Sequence, residues 1–187
     1  MYRLAQFVLA PGAETGLRRV CAPLLDAIPD GALYLDVGCG PRSRLARGGR
    51  SVVGTDVSLP YMRTWKRAGG MAVASDATRL PFAGGSFESV WCFGLLHHLD
   101  DTAAKQTVTE CRRVAKPGGS VVVLDAVYPR SALLRPIPYL LRRFDRGAHV
   151  RTQAQMREII APLGPCQELR RTYALNGLEL MMYARSI

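Results

Sequence analysis

The 187-residue sequence has only five cysteines, all isolated, and only three histidines. An odd number of cysteines without paired spacing argues against a disulfide framework and against a zinc site, and no other spacing indicates a metal. No apolar run reaches the roughly 18 residues that a membrane-spanning helix needs. Internal repeats and low-complexity tracts are also missing, which excludes repeat architectures.

The remaining composition is that of a globular protein, with 48% hydrophobic and 21% charged residues. This length suits a single domain over residues 1–187. The apolar stretch Met1–Ala10 is interrupted by Gln6 and is not followed by a convincing cleavage pattern. We therefore expect a helix that covers a ligand site rather than a signal peptide, and a cytoplasmic protein.

The most informative segment is Ala32–Gly40, in which an apolar run leads into Asp36 and then Gly38-Cys39-Gly40. This pattern predicts a buried parallel strand that ends in a tight turn. Glycine tolerates positive φ and leaves room for a ligand against the backbone. Open α/β sheets bind ligands at the carboxyl ends of their strands, so the turn is a candidate binding site.

Two further acids follow predicted strands in the same way. Ser51–Asp56 is short and β-branched and ends in an acid 20 residues after Asp36, which is the spacing at which dinucleotide folds bind ribose hydroxyls. Met71–Asp76 repeats the pattern. A fourth strand, Ser86–Phe93, leads to Leu-His-His-Leu, and a Lys-Pro-Gly-Gly turn leads to a fifth, Ser120–Asp125.

These segments, in this order, resemble the class I S-adenosylmethionine-dependent methyltransferases, nearest to the ubiquinone/menaquinone-biosynthesis subgroup. The resemblance extends over Ala32–Ile187. It implies an α/β, Rossmann-like fold: a seven-stranded, mostly parallel sheet with helices on both faces and an antiparallel C-terminal edge strand. It also implies cap helices within residues 1–30 and a variable acceptor-binding insertion over residues 126–150.

The resemblance implies S-adenosyl-L-methionine as cofactor and assigns residues to its parts. Asp36, Gly38, Cys39 and Gly40 would line the methionine moiety. Asp56 would hold the ribose hydroxyls, with Val57 beside the adenine. Asp76 and Ala77 would bind the adenine edge, and Cys92 and Phe93 would contact the methionine amine through their main chain.

One residue departs from the family pattern, because Arg42 stands where a third glycine is usual. Three interpretations follow. The loop moves outward; Arg42 or Arg44 pairs with the cofactor carboxylate; or the pocket has lost cofactor binding. Cys39 lies in the turn, but methyl transfer needs no enzyme nucleophile, so a catalytic role for it is not expected.

The formal net charge of +10 is concentrated late in the chain, where residues 130–157 hold seven arginines and only Asp145 as an acid. One interpretation is a solvated face. A second is recognition of an anionic or amphipathic acceptor, with peripheral membrane contact, by a segment that mixes arginines with bulky apolar residues. A third, nucleic-acid binding, is less favoured because no RNA-binding module is present.

In-line methyl displacement depends mainly on positioning and exclusion of water, with a base where the acceptor must lose a proton. Candidate catalytic residues are His149, in the variable segment, His98, and Asp125 and Tyr128 at the tip of the fifth strand. His97 receives the least weight among the histidines. The predicted function is methyl transfer to a small-molecule or lipid-like acceptor. The alternatives are a nucleic-acid or protein methyltransferase and a non-catalytic binding protein; the oligomeric state is not predicted.

Overall fold

A computed structural model describes residues 10–26, 31–46, 51–145 and 147–187. The strands are β1 (Leu33–Val37), β2 (Ser51–Asp56), β3 (Met71–Ala74), β4 (Phe87–Phe93), β5 (Ala115–Ala126), β6 (Gln167–Thr172) and β7 (Glu179–Ser186). The α-helices of this part of the chain are α1 (Ala13–Asp26), α2 (Leu59–Arg67), α3 (Asp101–Val114), α4 (Pro136–Arg143) and α5 (Gln153–Ile160). Short 3-10 helices span Leu96–His98 and Ala161–Leu163.

All seven strands form one sheet in the order β3-β2-β1-β4-β5-β7-β6. The first five are parallel neighbours, whereas β7 runs antiparallel to both β5 and β6. This confirms the predicted fold, with the added detail that β7 is inserted between β5 and β6, so that β6 forms the edge. The strand order reverses between β1 and β4, and their carboxyl ends flank the crevice where such sheets bind ligands.

Local helix signals fixed several boundaries. The Ser58 hydroxyl accepts a hydrogen bond from the Tyr61 amide (3.4 Å), and Asp100 accepts one from the Ala103 amide (2.8 Å). Thr152 begins α5 with a reciprocal capping box to Gln155. Each of these helix starts depends only on residues within one turn, so the local sequence is enough to determine it.

The sheet is covered on both faces by buried apolar side chains. Trp91, Met181 and Met182 lie in this core, as predicted. Of the region 1–30, in which cap helices are expected, the structure describes helix α1, Ala13–Asp26. The helix expected over Met1–Ala10 falls on residues of which only Ala10 is described, and the division into cap and insertion stays a prediction. Within the described ranges no helix is long and apolar enough to span a bilayer.

Candidate active site

The glycine turn after β1 is held open against the end of β2. Gly38 and Gly40 have φ of +70° and +64°, the left-handed region that favours glycine. The amides of Gly38 and Cys39 donate to the Thr55 carbonyl at 2.8 and 3.0 Å. A Cβ atom at Gly40 would meet no other atom within 4 Å, so space is open in front of the turn.

Asp36 lies beneath this turn and is only 1% exposed. One carboxylate oxygen, Oδ2, accepts a hydrogen bond from the Ser43 hydroxyl at 2.5 Å. The other, Oδ1, is buried and has no hydrogen-bond partner among the described residues. Burial outweighs the Ser43 hydrogen bond and raises the pKa of this carboxyl to about 7. Asp36 is therefore a buried acceptor with hydrogen-bonding capacity to spare.

Asp56, at the end of β2, supports the turn from the side. Its Oδ2 accepts from the Gly40 amide (3.0 Å) and its Oδ1 from the Ser58 amide (2.9 Å). Each carboxylate oxygen has two lone pairs, so both can accept further hydrogen bonds from a ligand. Val57, the next residue, is 78% exposed, so its side chain is accessible to a ligand.

Asp76 follows β3 at the same edge of the sheet. Its Oδ1 accepts from the backbone amide and hydroxyl of Thr78, both at 2.8 Å, and these bonds hold the pKa of Asp76 below its usual range. Asp76 is exposed and Ala77 half-buried. The structure thus brings Asp36, Asp56 and Asp76 to one edge, as the sequence predicted.

The loop after the turn presents Ser43 inward, while Arg42 is exposed. The Ser43 hydroxyl also accepts from the Leu45 amide at 3.1 Å. Ser43 was missed by sequence reasoning, which considered only the arginines on either side of it. Cys39 donates its thiol to the Gly40 carbonyl (3.3 Å), and burial raises the pKa of this thiol, so it is not activated as a nucleophile.

The end of β4 closes the other side of the turn. Cys92 is buried, and burial raises the pKa of its thiol well above its usual value; Phe93 is half-buried with its ring 5.2 Å from that of Trp91. The Leu95 side chain covers Gly38 so closely that a Cβ there would lie 3.0 Å from it. Leu95 therefore joins the glycine turn to the histidine segment.

The histidine that the structure places on Asp125 is His97. Its Nδ1 lies 2.6 Å from Asp125 Oδ1, and its Nε2 lies 3.9 Å from Asp145 Oδ1. Asp125 also accepts from the Leu96 amide at 2.6 Å. Burial lowers the pKa of His97, but the charge and hydrogen bond of Asp125, aided by Asp145, outweigh it, and the pKa is raised. Sequence reasoning gave this residue the least weight, although its partner Asp125 was predicted.

The other candidates lie around this pair. The His98 ring is 4.1 Å from that of His97, and burial followed by the His97 charge lowers its pKa. His149 is exposed, and its backbone amide donates to the His97 carbonyl at 3.0 Å. Tyr128 is half-buried with its ring 5.3 Å from that of Tyr139. Their catalytic roles stay predictions, as does every assignment to the cofactor.

The basic segment contains exposed arginines, such as Arg143, and two arginines that are buried, Arg142 and Arg151. Arg142 is only 5% exposed and binds Asp145 (3.0 Å), the Tyr173 hydroxyl (3.0 Å) and the Glu179 carbonyl (2.9 Å). Arg151 is buried between Asp101 and the carbonyls of Leu96 and Leu99. Arg142 is therefore not available to a ligand, because its charge is paired with Asp145 inside the protein.

Comparison with known proteins agrees with this geometry. Residues 35–123 match the family described as a methyltransferase domain. A demethylmenaquinone methyltransferase of Mycobacterium marinum is 35% identical over 79% of this chain, and the match spans 64% of that relative, less than two thirds of its length.

Solved structures are similar over most of the fold. The PH0226 protein of Pyrococcus horikoshii has a TM-score of 0.70 at 17% identity, covering 92% of this chain and 90% of that one. Geranyl diphosphate C-methyltransferase of Streptomyces coelicolor has a TM-score of 0.69 at 13% identity, covering 92% and 80%. At this identity the likeness establishes the fold, which is the one that the sequence motifs predicted.

Proposed function

We propose that this chain transfers a methyl group from S-adenosylmethionine to a small, lipid-like acceptor. The match of residues 35–123 to the methyltransferase-domain family supports this reaction. Similarity to a demethylmenaquinone methyltransferase supports an acceptor of that class. The observation that carries the proposal is the glycine turn, with an unpartnered oxygen of Asp36 beneath it and open space at Gly40.

The residues at the turn fit the cofactor. The unpartnered Asp36 oxygen and the amides around Gly38–Gly40 would hold its methionine moiety, and the spare lone pairs of Asp56 would accept from the ribose hydroxyls. Exposed Val57, with Asp76 and Ala77 beside it, would hold the adenine. When bound, the cofactor supplies an activated methyl on a sulfonium. The chain's part is to align the reactants and exclude water.

The acceptor would enter on the side of His97 and Asp125, which Leu95 connects to the glycine turn. The proton of a hydroxyl or carbon acid could be taken up at this cluster of histidines and carboxylates. Residues from Tyr128 to His149 would form the acceptor wall, since they combine exposed apolar side chains with arginines. We propose an amphipathic acceptor that is met at a membrane surface.

A nucleic-acid acceptor receives less support, because most of the basic segment already has internal partners. Arg142 and Arg151 are buried. Arg135 pairs with Glu179 at 2.9 Å and Arg157 with Glu168 at 2.7 Å. Few of these charges are left to form the row of phosphate contacts on which non-specific binding depends.

The test is transfer of radiolabelled methyl from S-adenosylmethionine to demethylmenaquinone that has been chemically reduced to the quinol and is presented in detergent micelles. The ring carbon of the quinol is the nucleophile that takes the methyl group, and it then loses its proton. The wild-type chain should label the acceptor, and Asp56→Ala should reduce labelling at sub-saturating cofactor by at least tenfold. Glu158→Ala, which removes an exposed acid from α5, is the matched control and should keep full activity. Folded wild-type protein that labels no quinol or other lipid-like acceptor would overturn the proposal.

A further inference from the structure

Helix α4 is oriented with its apolar face outward. Its side chains Ile137 and Leu140, together with Phe144 just after it and Leu133 and Leu134 in the preceding turn, are between 53% and 89% exposed. Ile137, Leu140 and Phe144 are spaced at i, i+3 and i+7, so they share one helical face. A surface helix ordinarily turns such a face toward the core.

The inner side of α4 is firmly attached, both by polar bonds and by Leu141, which packs against the apolar cluster of Ala13, Ala174 and Leu178. The residues of α4 that are buried are Pro138 and Arg142. Arg142 binds Asp145, Tyr173 and Glu179, and its guanidinium carbon lies 5.7 Å from the centre of the Tyr173 ring. The helix cannot turn its apolar face inward without breaking these bonds, which would leave the Asp145 carboxylate and the Glu179 carbonyl without Arg142. The outward face is therefore fixed by the fold.

Cationic side chains border this apolar face. Arg143 on α4 and Arg130 before it are exposed, and neither makes an ion pair with any residue that the structure describes. Arg135, at the start of the helix, is partly exposed beside Glu179. The acids near this face are already paired, Asp145 with Arg142 and Glu179 with Arg135 and Arg170. Bulky apolar residues framed by unpaired arginines complement an anionic lipid surface, with apolar groups entering the acyl boundary and cations at the headgroups.

We propose that α4 and its preceding turn, residues 133–144, dock the protein on an anionic lipid bilayer. This proposal rests on the proposed function, because docking would bring the side on which a lipid-like acceptor enters to the lipid surface. Tyr139 joins the two places, because it lies on α4 and its ring packs on Tyr128 at the end of β5. The geometry thus connects the docking surface to the acceptor wall.

The experiment is co-sedimentation of the full chain with vesicles of phosphatidylcholine alone and of phosphatidylcholine with one third phosphatidylglycerol. We expect binding to the anionic vesicles. Leu133→Ser/Phe144→Ser should weaken it about tenfold or more, since two large apolar side chains no longer enter the interface. The matched control is Tyr61→Ser/Met71→Ser, which removes two exposed apolar side chains at the β3 edge of the sheet and should bind as wild type.

A charge variant tests the cationic border separately. Arg143→Gln should weaken binding to the anionic vesicles about fivefold and should have little effect on binding to the neutral ones. Arg63→Gln on α2 should leave binding to both kinds of vesicle unchanged. Full chain that binds no vesicles would overturn the proposal. So would a dimer, seen by sedimentation velocity, that Leu133→Ser/Phe144→Ser converts to monomers.

Calorimetry with S-adenosylhomocysteine on the same variants keeps the two proposals distinguishable. Docking variants should retain cofactor affinity within about twofold, because residues 133–144 lie outside the glycine turn. A chain that binds vesicles but not S-adenosylhomocysteine would refute the methyltransferase and leave the docking surface standing. A chain that binds S-adenosylhomocysteine but no vesicles would refute only the proposal of a docking surface.

Discussion

Asp36→Asn should stabilise the unliganded protein, and more at high pH than at low pH. The pKa of Asp36 is raised to about 7 in the folded state because the carboxyl is buried. In the unfolded chain it is close to 3.8. Between these values the unfolded state has lost its proton and the folded state has kept it, so the wild type loses stability as pH rises from about 4 to 7.

The size of this loss follows from the shift. One pKa unit corresponds to about 1.36 kcal/mol, so the wild type should lose about 3 kcal/mol between pH 5 and pH 8 from this group alone. Asparagine carries no such penalty and can still accept the Ser43 hydroxyl through its amide oxygen. For a domain of this length, the advantage of Asp36→Asn should grow by roughly 5–10 °C in melting temperature over that pH range.

The assay is urea or thermal unfolding of wild type and variant at pH 5, 6, 7 and 8 without ligand. Asp76→Asn is the matched control. The pKa of Asp76 is lowered by Thr78, so its contribution is present above pH 4 and is lost only on further acidification. Its effect should not change between pH 5 and 8. A difference between Asp36→Asn and wild type that stays constant over the same range would refute the account of a buried, unpartnered carboxyl.

Three further predictions concern the other polar groups. Arg42→Gly should change S-adenosylhomocysteine affinity by less than about threefold, because Arg42 is exposed and Ser43 makes the inward contact; a tenfold loss in calorimetry would instead reveal an ion pair with the cofactor carboxylate. Arg142→Gln should destabilise the protein by about 3 kcal/mol or more in urea unfolding, whereas Arg143→Gln should stay within about 0.5 kcal/mol; equal effects would contradict the buried network. The raised pKa of His97 adds stability that is present at low pH and lost as pH rises through it. His97→Gln should therefore cost more stability at pH 5.5 than at pH 8, and a cost that increases with pH would refute this.

Sequence alone predicted the fold and the cofactor edge because their signals are local. A strand that ends in an acid or in Gly-x-Gly can be recognised within ten residues, and caps such as Ser58, Asp100 and Thr152 within four. Parallel pairing then brings the three strand ends together without further information. The positions of Asp36, Asp56 and Asp76 at one edge follow from this.

The polar interior of the acceptor side could not be predicted, because it depends on contacts between distant segments. Nothing near Arg142 indicates that the Tyr173 hydroxyl and the Glu179 backbone carbonyl, more than 30 residues later, accept hydrogen bonds from its guanidinium. Likewise, three histidines compete for Asp125 in the sequence, and only tertiary packing places His97 on it. Ser43 is a third case, since the loop conformation decides whether it or Arg42 faces inward.

The central claim is that the β1–β2 edge binds S-adenosylmethionine, and isothermal titration of the wild-type chain with S-adenosylhomocysteine tests it most directly. The account predicts saturable binding with one site per chain. It also predicts a loss of roughly 1.5–3 kcal/mol for Asp56→Ala, about 10- to 150-fold, since hydrogen bonds from the ribose to a charged acceptor are removed. No heat of binding with folded wild-type protein, or unchanged affinity in a folded Asp56→Ala variant, would contradict it.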